Sequence, residues 1–221
     1  MKRRAIAILL VILLFAAGWL LSQLWLRVER PLDPAFLRLS PLEIAGLPLA
    51  VRFDQPMGSE HGALTYNAQP FRLNRHLGDD LNGIGGMNSD LGDPVYAAGA
   101  GRVVYAGVPG PGWGKMIILA HRVPDVADPK NIRIIQTVYA HLDAIKIKHG
   151  QLVQRGDPIG TVGTADGQYL AHLHFEVREG PYVNPGVGYA DAPLNRLKPE
   201  QFLLEHRGAD HETLNPAPRM K

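Results

Sequence analysis

Between residues 71 and 184 glycine and proline cut the chain into short apolar runs, none of them with a helical period. The runs cover 95–98, 102–106, 115–121, 132–142, 151–153, 158–162 and 170–178. Gly99, Gly101, Pro109-Gly110-Pro111-Gly112, Pro124, His149-Gly150, Gly156-Asp157-Pro158 and Gly163 separate them. Runs of this length bounded by turn residues read as strands, and several at close spacing predict an all-β sandwich or barrel. The 24 Gly and 18 Pro among 221 residues point the same way. Residues 123–131 form a polar, Pro-containing insertion between two strands.

The ends of the chain differ from this middle. Lys2, Arg3 and Arg4 precede an apolar run over 5–21, extended through Ser22 and Gln23 to Leu26. As a helix the run reaches about 33 Å, which matches a bilayer core of roughly 30 Å. A secretory signal has an apolar region of only about 7–15 residues, and the one candidate cleavage site, Ala16-Ala17-Gly18, is followed by more apolar residues. Residues 1–26 are therefore expected to be an uncleaved transmembrane helix, with the N-terminus inside and the remainder exported. Trp19 and Trp25 suit its outer interface. Residues 27–70, punctuated by Pro31, Pro34, Pro41, Pro48 and Pro56, read as a juxtamembrane linker with strand character over 42–53 that feeds edge strands. The compact domain is expected over 71–185. Residues 186–221 read as a tail with a short helix over 199–206, opened by Pro199 and carrying Phe202 and Leu203 on its apolar face.

Charge and cysteine content narrow the chemistry. Five of the 23 Lys and Arg lie in the first 30 residues, so the remainder is slightly acidic and offers no basic surface for a nucleic acid. The chain has no cysteine. That removes disulfides, thiolate metal sites and a lipoprotein anchor, and leaves His, Asp and Glu to hold any metal.

Three clusters can carry chemistry. In Ala171-His172-Leu173-His174-Phe175-Glu176 the two histidines are two apart in a strand, so both project from one face, about 6.6 Å apart. Glu176 shares that face, as a partner of the histidines or as a solvated strand residue. In His76-Leu77-Gly78-Asp79-Asp80 a histidine and a carboxylate stand four apart with glycine between them, which suits a tight loop that turns both onto one ion. Together these make three N/O ligands and one open position, the arrangement of a catalytic zinc site. Which of His172 and His174 would bind is open on this geometry. In Thr137-Val138-Tyr139-Ala140-His141-Leu142, Tyr139 and His141 are expected on one strand face, His141 as a general base or oxyanion donor. His61, His121 and His149 match no such pattern, and His206 and His211 fall in the tail.

The order His-x-Gly-x-Asp, Tyr-x-His-Leu, His-Leu-His-Phe-Glu resembles the lysostaphin-type (LytM-like) zinc metallopeptidases, endopeptidases of bacterial peptidoglycan cross-bridges. Gly92-Asp93-Pro94-Val95-Tyr96-Ala97-Ala98-Gly99 and Gly101-Arg102-Val103-Val104 are similar to that family's first hairpin. Residues 150–160 are similar to its hybrid-motif turn. The resemblance covers roughly 71–185. It implies a mainly β fold, an antiparallel sheet or barrel-sandwich with a long groove. It implies His76, Asp80 and His174 as ligands of a Zn2+ ion, with Asp79 a neighbour, and His172 and His141 as the catalytic pair. The implied reaction is hydrolysis of wall peptides by a zinc-activated water with both histidines as acid and base, outside the cytoplasmic membrane. Loop 82–88 and the insertion 123–131 map onto nothing in the family. Two other readings use the same fold: a non-catalytic regulator of cell-wall amidases, itself a protein-binding role, and a barrel-sandwich adaptor of an export assembly, which predicts no metal.

Overall fold

The computed structural model describes residues 37–208. The anchor expected over 1–26 lies outside them; among the described residues no helix is long and apolar enough to cross a membrane.

Ten antiparallel strands form the main sheet. Its path runs β2 (Thr65–Gln69), β3 (Asp79–Gly83), β10 (Leu173–Glu179), β7 (Ile132–Ile145), β6 (Lys115–Pro124), β5 (Gly101–Gly107) and β8 (Leu152–Val153). Off this path, β4 (Pro94–Tyr96) pairs with β9 (Pro158–Val162), β9 also pairs with β7, and β12 (Arg196–Leu197) pairs with β10. A separate two-stranded sheet joins β1 (Leu37–Arg38) to β11 (Tyr182–Val183). The insertion expected over 123–131 begins inside β6, where Val123 and Pro124 still pair with β7, and residues 125–131 make the hairpin connection.

Both faces of the sheet are covered, so its strands read as apolar runs without polar alternation. Ile117, Leu119, Tyr139, Leu173, Phe175 and Val177 pack on one face with Phe53, Val95 and Ile159. Met116, Ile118, Ala120, Val138 and Ala140 pack on the other with Leu39, Leu47 and Val183. The segment read as a linker thus supplies Leu39, Leu47, Ala50, Phe53 and Met57 to the cores. Its strand character over 42–53 is not realised. Ser40 instead caps a short helix, α1 (Pro41–Ala45): its Oγ accepts from the Glu43 N–H while the Glu43 carboxylate accepts from the Ser40 N–H. That reciprocal cap, with proline at the first position, outweighs the strand propensity. Helix α2 (Pro199–Glu205) begins at Pro199 and buries Phe202 and Leu203.

Two departures from the strand readings position the site. In the run read over 170–178 the ladder begins at Leu173, His172 makes one isolated bridge to Gly163, and Leu170 and Ala171 lie in no strand or bridge. Strand β7 changes partner at His141: Ala140 pairs with His174 of β10, whereas Leu142 pairs with Val162 of β9.

Candidate metal centre

Asp80 on β3 lies directly opposite His174 on β10. Residues so paired project from the same face, and the Asp80 Oδ1 stands 2.9 Å from the His174 Nδ1. His76 arrives from the turn before β3, where Arg72, Asn74 and Arg75 all take left-handed φ angles. Arg72 ties this turn down by donating to the carbonyls of Ala190 and Asp191. The His76 Nε2 is 3.0 Å from the His174 Nδ1 and 3.3 Å from the Asp80 Oδ1. Only glycine fits between them at 78: a Cβ there would stand 2.7 Å from the Phe175 carbonyl and 2.8 Å from the His174 Cε1.

This triangle fits a tetrahedral cation. Two ligand atoms at zinc distances of about 2.1 Å and a tetrahedral angle lie about 3.4 Å apart, so an opening of a few tenths of an ångström suffices. The outer ring nitrogens fix the tautomers. The His76 Nδ1 lies 3.0 Å from the Gln69 carbonyl, which only accepts, so Nδ1 carries the proton and Nε2 turns a lone pair inward. The His174 Nε2 lies 3.1 Å from Glu176 Oε1, so that nitrogen donates and Nδ1 faces the cluster. Two lone pairs and a carboxylate thus point at one place, a donor set that only a cation or a proton satisfies.

Glu176 is fully buried, and the solvated alternative read from sequence is excluded. Its Oε2 accepts from Arg178 Nε at 2.6 Å and Arg196 Nε at 3.1 Å. Burial works against its charge, but Arg178, His174 and Arg196 outweigh it and hold the carboxyl far below the usual range. Burial likewise works against the Asp80 carboxylate, and the neighbouring His174 and His76 rings hold its pKa well down. At His174 burial opposes the charged form, yet Asp80 and Glu176 raise the imidazolium to about 9. In the metal-free protein a proton therefore occupies the place of the cation.

A pH dependence follows, with its sign. The folded pKa of His174 lies above its ordinary 6.5, so the stabilisation is full below pH 6.5 and is lost as pH rises through about 9. Burial lowers His121 to about 4 and His141 to about 3, so both act only below pH 6.5. The melting temperature of metal-free protein is expected to fall between pH 6.5 and 9, and that of zinc-loaded protein to stay level. Parallel curves in calorimetry would contradict the assignment.

Two more imidazoles border the cluster. His172 places its Nε2 3.7 Å from Asp80 Oδ1, and its Nδ1 donates to the Leu170 carbonyl at 2.8 Å. His141 lies 4.7 Å from His172 and 5.4 Å from His174 between ring centroids. Its Nδ1 faces the Trp113 carbonyl at 3.3 Å, which leaves Nε2 as a free base. Tyr139 does not share its face, contrary to the strand reading. Tyr139 pairs with Phe175 inside the core, and its hydroxyl accepts from the Ala98 N–H. His141 has φ 63°, a left-handed kink within β7 that turns its side chain to the opposite, site-facing side.

The cluster opens into a cleft of about 260 Å3, whose walls include Gln69, Trp113, Tyr169 and Tyr189. None of these four was singled out from the sequence. Trp113 stacks on His141, Tyr189 leans on His76, and Tyr169 contacts both His141 and His172. The three aromatics come from loops with no period and Gln69 from the end of β2, so no sequence signal marked them. All five sequence-predicted residues, His76, Asp80, His141, His172 and His174, line this one cleft.

Comparison with known proteins gives the same kind of domain. Peptidase family M23 matches residues 82–185, which takes in His141, His172 and His174 and starts just after Asp80. Lipoprotein NlpD of Yersinia enterocolitica is 35% identical over 95 residues, 42% of this chain and 87% of that protein. Murein hydrolase activator NlpD of Escherichia coli K12 is 36% identical over 95 residues, 42% of this chain and 22% of that protein. Other curated relatives are matched over only 18–32% of their length. The catalytic domain of lysostaphin from Staphylococcus simulans aligns at 24% identity with a TM-score of 0.44, over 63% of this chain and 90% of that one. Identity at that level across most of the Yersinia protein, together with the matched domain, makes this chain a member of peptidase family M23.

Proposed function

We propose that this chain is a zinc metalloendopeptidase that hydrolyses peptide cross-links of bacterial peptidoglycan. The observation that carries the reading is the convergence of His76 Nε2, Asp80 Oδ1 and His174 Nδ1 within 3.3 Å of one another, on an open cleft with two further imidazoles. These three residues hold the ion, and His141 and His172 are the acid and base. Zinc bound there supplies Lewis acidity for a carbonyl oxygen and a lowered pKa for water. His141, kept neutral by burial and by the neighbouring His174 and His172, takes a proton at Nε2. As an imidazolium it returns that proton to the leaving amine. His172 offers its Nε2 on the same wall, as acceptor and, once protonated, as donor to the oxyanion. Trp113, Tyr169 and Tyr189 hold the peptide and exclude water.

Residues 1–26 anchor the chain in the cytoplasmic membrane in this reading, with residues 71–185 as the catalytic domain facing the periplasm or wall. Digestion of purified cross-linked wall fragments tests the activity: mass spectrometry is expected to show the cross-linked peptides converted to monomers with one added water per bond. Intact cross-links after incubation with zinc-loaded protein would overturn it.

The E. coli relative's description as a murein hydrolase activator favours a second reading, a protein that switches on a wall amidase. That role needs a surface and no ion. An amidase stimulated equally by wild type and by His174→Ala, with neither cutting cross-links alone, would select it.

A further inference from the structure

Ala171 is the last residue before His172, and it lies in no strand or bridge. It is fully buried, so its N–H and C=O need partners from outside the sheet. Two side chains of loop 82–88 supply both. Asn88 Oδ1 accepts from the Ala171 N–H at 2.8 Å, and Asn82 Nδ2 donates to the Ala171 carbonyl at 3.1 Å. Chemistry fixes both amide orientations, because an N–H needs an acceptor and a carbonyl needs a donor. The loop is closed on itself by Asp90, whose Oδ2 accepts from the Gly83 N–H at 3.2 Å. One residue on, the His172 N–H donates to Gly163 and its ring donates to Leu170. His172 therefore stands at the start of β10, held on one side by its own bridge to Gly163 and on the other by the clamped peptide at Ala171.

We propose that Asn82 and Asn88 are positioning residues for His172: by clamping both polar groups of Ala171 they set where the His172 imidazole stands beside the metal ligands. The proposal rests on the hydrolase reading for its catalytic consequence, and on the geometry alone for the position of the ring. The loop, which lies within the residues that peptidase family M23 matches, is thus a brace for the acid/base group. The energies separate this role from a structural one. A single hydrogen bond contributes only modestly to net stability, whereas a displacement of about 1 Å at a reacting group costs about 100-fold in rate.

The test uses the full chain loaded with zinc, with turnover of wall fragments, zinc affinity, melting temperature and the 15N-labelled His172 ring signal as readouts. Asn82→Ala combined with Asn88→Ala is expected to lower kcat about 10- to 100-fold with zinc affinity and KM unchanged, and to broaden the His172 Nδ1–H signal. The single aspartates give an asymmetric result. Asn88→Asp keeps the acceptor and is expected to match wild type; Asn82→Asp loses the donor and is expected to resemble the alanine variant. Wild-type kcat and ring signal in the double variant, or equal behaviour of the two aspartates, would overturn the proposal. If the double variant does not fold, the aspartate pair decides. If wild type cuts no wall peptide, the hydrolase reading fails, and the ring signal alone still decides the brace.

Discussion

His174→Ala is expected to abolish zinc binding and to lower hydrolysis of cross-linked peptides by about three orders of magnitude or more. The size follows from how much rests on one ring. Enzymes accelerate their reactions by about a millionfold or more, and in the proposed mechanism the acceleration would depend on an ion held by His76, Asp80 and His174. Its removal leaves the His76 and Asp80 donor atoms 3.3 Å apart with two ligands for the ion. It also removes the hydrogen bond from Nε2 to Glu176. Measurement of bound metal per chain and of cleavage rate, on the same preparation, checks both halves. Full zinc occupancy in the variant would place the ion elsewhere and end the His76–Asp80–His174 assignment. His141→Ala gives the contrast: it is expected to retain zinc and lose turnover, because its ring touches no ligand atom of the triangle.

How far the residues themselves announced this site depends on the kind of signal each one left. The spacing of His174 and Glu176 put both on one face because β10 is regular from Leu173 on, and His172, bridged to Gly163 just before the strand, lines the same cleft as His174. His76 and Asp80 were legible from their separation and the glycine between them, and the structure adds the reason: at 78 there is no room for a Cβ. His141 was named for the site with the wrong local geometry. Period-two alternation put it with Tyr139, and only the left-handed kink where β7 exchanges β10 for β9 turns it to the cleft. A kink of that sort depends on which strands flank β7, and that is long-range information. The same limit hid Asn82 and Asn88, whose partner is 89 and 83 residues away. It also hid the packing of 39–57, where prolines and a capped five-residue helix masked five side chains that end in the two cores. Seven of the twelve strands among the described residues, β4 to β10, were legible because turn chemistry is local; β1, β2, β3, β11 and β12, and the order of strands in the sheet, were not.

Glu176→Ala is the second large effect, and it separates the support of the centre from the centre itself. The carboxylate is fully buried between Arg178, Arg196 and His174. Removal of one member of a buried charged set costs about 3–5 kcal/mol, because the charges left behind have lost both water and partner. Arg178 remains buried, with hydrogen bonds to the Asn184 and Pro185 carbonyls and no anion beside it. The variant is therefore expected to unfold at a visibly lower denaturant midpoint. Its zinc affinity is expected to fall about 10- to 100-fold as well, the usual effect of losing the group that orients a ligating histidine. Without the acceptor at Nε2, the ring is free to exchange tautomers and to turn its protonated nitrogen toward Asp80. Glu176→Gln divides the two effects. Its amide oxygen still accepts from His174 Nε2, so the tautomer and most of the zinc affinity are retained. Its missing charge removes the anion that Arg178 and Arg196 both contact, so most of the stability loss remains. A glutamine variant as stable as wild type would show that the arginines do not need the charge, and a wild-type zinc affinity in the alanine variant would show that the His174 ring is held by packing alone.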